Sequence, residues 1–242
     1  MMLKAPFRKA ALNNLFAVAI FYSFIVLFMI VLPLLAKVIP SWNIHMNVNG
    51  GYESFSMIFM FVLGLTCVKD NLKACAVFGR SRNTALITGI MALGTVAAVL
   101  AVLDSVFTPV TSIITGGFSS SGLMNMIYNM IPEKPFSYFG TYLVWRLCLY
   151  CGITMLGFLL SSINYRLPKV WRLVFWIGFG LLLLVGIPLS VDNMAIATVL
   201  ARFLDFAIAS SPWRFDVTMV VCSAIAAVLA WLIQRRAPVD RS

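Results

Sequence analysis

The sequence TALITGIMALGTVAAVLAVLDS, residues 84–105, contains no charged side chain before Asp104. A helix needs about 20 consecutive apolar residues to cross the hydrocarbon core of a bilayer, which is about 30 Å thick. This stretch is long enough, and its many Ala, Gly and Val residues allow close packing against neighbouring helices. It therefore predicts a transmembrane helix, which is the element from which the rest of the fold follows.

The composition of the whole chain extends this prediction. Of 242 residues, 62% are hydrophobic and only 11% are charged, whereas soluble domains carry about 25% charged residues. Further apolar runs lie at about 15–36, 55–68, 138–163, 170–190 and 215–233. We predict an all-α polytopic membrane protein, a single transmembrane domain over residues 1–242 with six spanning helices and no room for a soluble enzyme domain.

The basic residues predict an orientation. Thirteen of the 18 Lys and Arg residues lie in the segments 1–14, 69–83, 164–172 and 234–242. Short loops rich in Lys and Arg face the cytoplasm, so we predict cytoplasmic N- and C-termini. Residues 1–14, basic with interspersed apolar side chains, are predicted to be an interfacial segment on the lipid headgroups. Although the net charge is +10, no basic stripe with interleaved aromatics stands outside the apolar runs, which argues against a nucleic-acid partner.

The basic loop KDNLKACAVFGRSRN, residues 69–83, carries the most information about function. Asp70 is a candidate N-cap, and Gly79 lies where helices commonly stop. Between them Leu72 and Cys75 share one helical face. A short cytoplasmic helix with an apolar face indicates docking on a partner. The alternative is a capped extension of the second span that packs on its own neighbours.

This loop, which ends in Gly79, Arg80, Ser81 and Arg82 just before the third span, resembles the corresponding loop of small ABC-2-type permeases. Among these are six-span bacterial peptide exporters of the phenol-soluble-modulin and bacteriocin-immunity type. The resemblance implies an exporter subunit in the bacterial cytoplasmic membrane, working as a homodimer or as a heterodimer with a second permease. It also implies that the cargo is an amphipathic peptide or another hydrophobic molecule.

The resemblance implies a coupling helix over residues 70–78 that sits in a cleft of a separate ATP-binding cassette subunit. The residues carried over as ATPase-coupling are Asp70, Leu72, Lys73, Cys75, Phe78, Arg80 and Arg82. The apolar side chains would contact the ATPase, and the basic ones would meet acidic or phospholipid groups. No cofactor is expected in this chain. ATP and Mg²⁺ are expected on the partner, because this sequence has no G-x-x-x-x-G-K-[ST] phosphate loop.

Two further features belong to the predicted outer half. Asp104 ends the third span and Arg146 lies two turns into the fourth. A charge in hydrocarbon costs on the order of 3 kcal/mol and usually finds a partner, so we predict that the two pair. Alternatively, Arg146 snorkels to the interface and Asp104 is solvated. The resemblance also implies a partly buried helical element on the outer side, for which residues 191–214 are the candidate, with a plain amphipathic surface helix as the alternative.

Other classes of function find less support. An intramembrane CAAX-type protease needs Glu and His side chains clustered in its spans, but the only histidine, His45, and both glutamates, Glu53 and Glu133, are assigned to outer loops. No metal site is predicted, because one histidine without neighbouring ligands does not form one. A secondary carrier, or a substrate-binding membrane component of an uptake system, is the alternative to a permease. A carrier normally holds an ionisable group near the midplane, which is not evident from sequence. A non-transporting scaffold is also compatible with it.

Overall fold

The computed structural model describes residues 4–31, 51–79, 81–115, 123–128, 139–181 and 211–235, and every regular element in these ranges is helical. The helices are α1 (Lys4–Val26, followed by a π-helical turn, Leu27–Val31), α2 (Gly51–Val77), α3 (Arg82–Thr115), α4 (Leu123–Tyr128), α5 (Phe139–Arg166), α6 (Lys169–Leu181) and α7 (Pro212–Arg235). The predicted all-α fold is confirmed for this part of the chain.

Five of the helices are long and apolar enough to cross a membrane. The spanning stretches are Phe7–Val26 in α1, Glu53–Cys75 in α2, Asn83–Val110 in α3, Phe139–Arg166 in α5 and Pro212–Arg235 in α7. The protein is therefore a multi-pass membrane protein. The count of six spans stays a prediction, because the predicted fifth span, 170–190, is described only as far as Leu181, the end of α6. The cytoplasmic position of the termini also stays a prediction.

Three helices extend past the boundaries predicted from sequence. α1 begins at Lys4, so the predicted interfacial segment is continuous with the first span rather than separate from it. α2 passes through Asp70 without interruption, and the prediction of an N-cap at Asp70 is wrong. α3 continues through Pro109 to Thr115, ten residues beyond the end of the span predicted at 84–105.

α3 contains a proline, Pro109, in its interior. A proline removes the N–H that would bond to the carbonyl four residues earlier, here that of Ser105. In α3 the hydroxyl of Thr108 donates to the carbonyl oxygen of Asp104 at 2.8 Å. This bond strengthens the turn next to Pro109 and does not replace the donor that the proline lacks. Membrane helices tolerate proline where such local adjustments are available.

α5 is the central helix of the bundle and packs against α2, α3 and α7. Its closest approach is to α2, where Gly64 and Gly157 let the two backbones meet. A Cβ at Gly64 would lie under 3.0 Å from the carbonyl oxygen of Thr154, and one at Gly157 would meet that of Phe61 equally closely. Small residues at such crossings are typical of membrane helix pairs.

Buried side chains form two layers along α5. In one layer Trp145 and Tyr150 pack with Met60 and Leu100. In the other, Phe158 packs with Leu93 and Val68, and near this end the side chain of Gln234 on α7 donates to the hydroxyl of Ser162 at 2.8 Å. The first layer holds the N-terminal half of α5, and the second holds the half that leads into the basic turn before α6.

The outer helices present apolar side chains to their surroundings. Phe16 on α1 is 69% exposed and Val220 on α7 is 56% exposed. A contiguous apolar surface of this kind is unfavourable in water and marks a surface that lipid or protein covers. Helices α1 and α7 therefore form part of the lipid-facing periphery.

Gly64→Ala and Gly157→Ala are each expected to destabilise the protein by about 1–3 kcal/mol, because the added methyl group forces α2 and α5 apart. Gly94→Ala in α3 is the control, because a Cβ there meets no atom within 4 Å. The melting temperature of the purified protein in detergent measures the effect. Unchanged melting temperatures in both test variants would contradict the close approach of the two helices.

Candidate functional site

The turn between α2 and α3 is shaped by two capping residues. Gly79 has φ of 62°, the left-handed conformation that commonly follows a helix and that other residues rarely adopt. The hydroxyl of Ser81 accepts a hydrogen bond from the N–H of Thr84 at 3.3 Å, which is the geometry of an N-cap. The Gly-x-Ser-Arg element thus has a local structural role, since its glycine ends one helix and its serine begins the next.

Three of the predicted coupling residues, Asp70, Lys73 and Phe78, lie at the surface of this end of α2. Asp70 and Lys73 are exposed on the helix. Phe78, just after the last helical residue, is 42% exposed, and its neighbour Val77 is 82% exposed. Exposed charges and two exposed apolar side chains therefore lie together at the tip of α2.

The remaining predicted coupling residues are differently situated. Cys75 is only 2% exposed, and Leu72 is partly buried against the second core layer. Both pack inside the bundle, as the alternative of a helix resting on its own neighbours predicts. Arg80 lies outside the described residues, and Arg82 is the first residue of α3, with its side chain outside the described part.

A second region is a group of polar side chains enclosed by α1, α2, α3 and α5, which we call the buried polar cluster. Its members are Tyr22, Glu53, Asp104, Ser105, Thr108, Arg146 and Tyr150. Arg146 is 1% exposed and forms an ion pair with Glu53, also 1% exposed. Its Nε donates to Glu53 Oε1 at 3.1 Å. Its Nη1 donates to Ser105 at 3.3 Å, and its Nη2 donates to Thr108 at 2.7 Å.

Asp104 occupies the other half of the buried polar cluster and is fully buried. The hydroxyl of Tyr22 donates to its Oδ1, and the hydroxyl of Tyr150 donates to its Oδ2. Thr108 connects the two halves, because its hydroxyl bonds both to Arg146 and to the backbone carbonyl of Asp104. Asp104 and Arg146 therefore belong to one network.

The prediction that Asp104 and Arg146 form a direct pair is corrected by this geometry. Among the described residues, the ion pair of Arg146 is made with Glu53. Sequence reasoning assigned Glu53 to an outer loop because it started the second span at Phe55. α2 instead begins at Gly51, so Glu53 lies in its first turn, where a carboxylate is favoured by the helix dipole.

Both tyrosines of the cluster were also missed from sequence. A tyrosine inside an apolar run looks the same whether it faces lipid or protein. The available signal was that a buried tyrosine hydroxyl requires a hydrogen-bond partner, and that Asp104, within the predicted third span, is an acceptor that could serve several donors.

The cluster has a definite electrostatic character. Its described members carry two carboxyl groups and one guanidinium, so one carboxyl proton would make it neutral. In a low-dielectric bundle such groups are tolerated only when every charge has partners. The arrangement can tie four helices together, and it can also hold and release a proton.

Within the described ranges no group of three His, Cys, Asp or Glu side chains is placed to hold a metal ion. His45 and most of the predicted outer element, 191–210, lie outside the described residues.

Comparisons with protein-family models, with curated proteins and with solved structures find no match to this chain. A functional assignment therefore rests on the residues of this chain.

A double-mutant cycle tests the partner of Arg146. Glu53→Gln and Arg146→Gln are each expected to cost about 3–5 kcal/mol, because each leaves a buried charge without its partner. The double variant is expected to cost clearly less than the sum of the two. Unfolding in mixed micelles measures the three values.

The comparison cycle combines Asp104→Asn with Arg146→Gln. We expect a smaller coupling energy there, because the two side chains share no direct hydrogen bond. Additive losses in the Glu53 cycle together with strong coupling in the Asp104 cycle would restore the pair predicted from sequence.

Proposed function

We propose that this chain is the membrane-spanning permease subunit of an ATP-driven transporter of the ABC-2 type, with ATP hydrolysed by a separate cytoplasmic subunit. The observation that carries the proposal is the exposed tip of α2. Val77 and Phe78 are 82% and 42% exposed, in a segment whose basic residues predict a cytoplasmic position. Exposed apolar side chains rimmed by charge are typical of a protein-binding site.

The proposed contact surface is smaller than the one implied by the resemblance. Phe78, Val77 and Lys73 would contact the ATPase, joined by Arg80 and Arg82 on the strength of the resemblance. Leu72 and Cys75 would act as positioning residues, because they pack against the bundle. Asp70 is exposed and would lie at the edge of the surface.

Because α2 is continuous, it would carry a movement of the ATPase to the other side of the membrane. α2 has 27 residues without a break, which at 1.5 Å per residue is about 40 Å. Glu53 lies in its first turn, and the exposed tip follows its last. A displacement of the tip would thus act directly on the ion pair between Glu53 and Arg146, and through it on α5.

Further parts of the proposal rest on the resemblance alone. These are the bacterial cytoplasmic membrane as location, export as direction, a homodimer or a heterodimer with a second permease, and an amphipathic peptide or other hydrophobic cargo. ATP and Mg²⁺ would be bound by the partner ATPase. This chain would contribute the pathway and no catalytic residue.

An ion-coupled secondary carrier is the second candidate, and the buried polar cluster favours it. Such a carrier needs an ionisable group inside the bundle that changes its protonation during transport. Asp104 is fully buried between two tyrosine hydroxyls, next to a guanidinium network that also contains Glu53. In this candidate, protonation of Asp104 would loosen its bonds and let α1 and α5 move apart.

Val77→Asp and Phe78→Asp are each expected to weaken binding to the ATP-binding subunit encoded beside this chain by about tenfold or more, since a charge replaces an apolar contact. Stimulation of that subunit's ATP hydrolysis should fall in parallel. Co-purification from co-expressing cells and phosphate release measure the two effects.

Trp213→Asp is the matched control. Trp213 is 72% exposed, but it begins α7 at the end of the bundle where Phe215 packs on Trp145, away from the tip of α2. It should leave binding unchanged. Wild-type binding and ATPase stimulation in both tip variants, or the lack of any neighbouring ATPase gene, would contradict the proposal.

The energy source separates the two candidates. In inside-out vesicles with a fluorescent amphipathic peptide as the probe, the permease is expected to accumulate the probe with ATP after an ionophore has collapsed the proton gradient. Accumulation that follows an imposed pH gradient without ATP, and that Asp104→Asn abolishes, would instead establish the carrier.

A further inference from the structure

A cleft of about 310 Å³ lies between the N-terminal part of α1 and the C-terminal part of α2. Lys9 lines it from α1, and Asp70 and Lys73 line it from α2. All three side chains are exposed, so the cleft is open to its surroundings. Among the described residues that line it, the charged side chains carry two positive charges and one negative charge, a net charge of +1.

Side-chain amides form much of the remaining wall. Asn13 and Asn14 line the cleft from α1, and Asn71 lines it from α2. Asn71 is 6% exposed, and its amide donates to Cys67 Sγ at 2.8 Å. Within the described part of the chain, the buried amide nitrogen of Asn14 has no hydrogen-bond partner. An unsatisfied buried donor is destabilising, so a ligand with acceptor oxygens would be stabilised here.

The faces that flank the cleft are apolar. On α1, Leu12 and Phe16 are 54% and 69% exposed, and on α2 Val62 is 48% exposed. Helical spacing puts these side chains next to the lining residues and further along the spans, toward the hydrocarbon core. A ligand whose polar part fills the cleft would therefore have apolar surface beside it.

We propose that this cleft binds the headgroup of an anionic phospholipid. The phosphate diester would lie between Lys9 and Lys73, and hydroxyl groups of the headgroup would donate to Asp70 and to amide oxygens. The acyl chains would follow the apolar flanks. The net positive lining favours a lipid with one negative charge over a zwitterionic one, and the flanks favour a lipid over free phosphate. Basic clefts between membrane helices at the cytoplasmic side recognise lipid headgroups by this chemistry.

The cleft shares Asp70 and Lys73 with the surface proposed for the ATPase, but lipid binding is measured on this chain without the ATPase, so the two proposals can fail separately. A bound lipid would join the N-terminal turns of α1 to the tip of α2. The described contacts between these helices are few compared with those of α5 to α2, so a headgroup would add polar contacts where the protein makes little contact of its own.

The test uses the full-length chain, purified in detergent and stripped of lipid. Phosphatidylglycerol, phosphatidylethanolamine with the same acyl chains, and inorganic phosphate are added separately. Native mass spectrometry measures retained lipid, and the melting temperature measures stabilisation. We expect retention of phosphatidylglycerol and a rise in melting temperature, and neither effect from phosphate.

Lys9→Gln combined with Lys73→Gln is expected to weaken phosphatidylglycerol binding by about tenfold or more, because each basic contact to the phosphate is removed. Arg8→Gln combined with Lys69→Gln is the matched control. It removes the same charge from exposed positions on the same two helices, but neither residue lines the cleft. This control should bind as the wild type does.

Ala74→Leu provides a second route to the same result, since it fills the cleft from α2 and leaves every charge in place. Loss of binding in this variant supports the cleft. Equal loss in the Arg8 and Lys69 control would overturn it in favour of diffuse surface attraction. Equal stabilisation by phosphatidylethanolamine would overturn the charge selectivity, and equal stabilisation by phosphate would overturn the lipid.

Discussion

Arg146 carries a charge inside a bundle that lipid surrounds, and its position constrains the helices around it. A buried guanidinium has five donors in a fixed plane, and each needs an acceptor. Glu53, Ser105 and Thr108 accept four hydrogen bonds from it, from positions on α2 and α3. Because one misplaced helix would leave a charge unpaired in hydrocarbon, this network selects one arrangement of α2, α3 and α5.

Asp104 extends the same constraint to α1 through Tyr22 and to α5 through Tyr150. Close backbone contact between Gly64 and Gly157 then sets the distance from α2 to α5. The ion pair and the glycine contact thus hold α2 against α5 at two different positions along the helix pair. α2 is unbroken between Glu53 and its exposed tip, so the ion pair and the tip belong to one continuous helix.

The two ends of α2 suit different tasks. At the buried end every described polar group of the cluster has a partner, which favours a defined structure. At the basic end, exposed apolar side chains and an open cleft leave surface for other molecules. Gly79 ends α2 and Ser81 caps the start of α3, so the two residues hold the tip in a fixed position between these helices.

The sequence alone determined that lipid surrounds this protein, where most of its spans lie, and that one end of the helix bundle is basic. These properties are readable because hydropathy and charge act locally along the chain. It singled out Arg146 and Asp104 as buried charges for the same reason. The tertiary structure decided their partners: Glu53 is 93 residues from Arg146, and Tyr22 is 82 residues from Asp104. It also decided that Cys75 faces inward while Phe78 faces outward. Such choices depend on which helix faces meet, and a periodic pattern of apolar residues on lipid-exposed helices does not specify that.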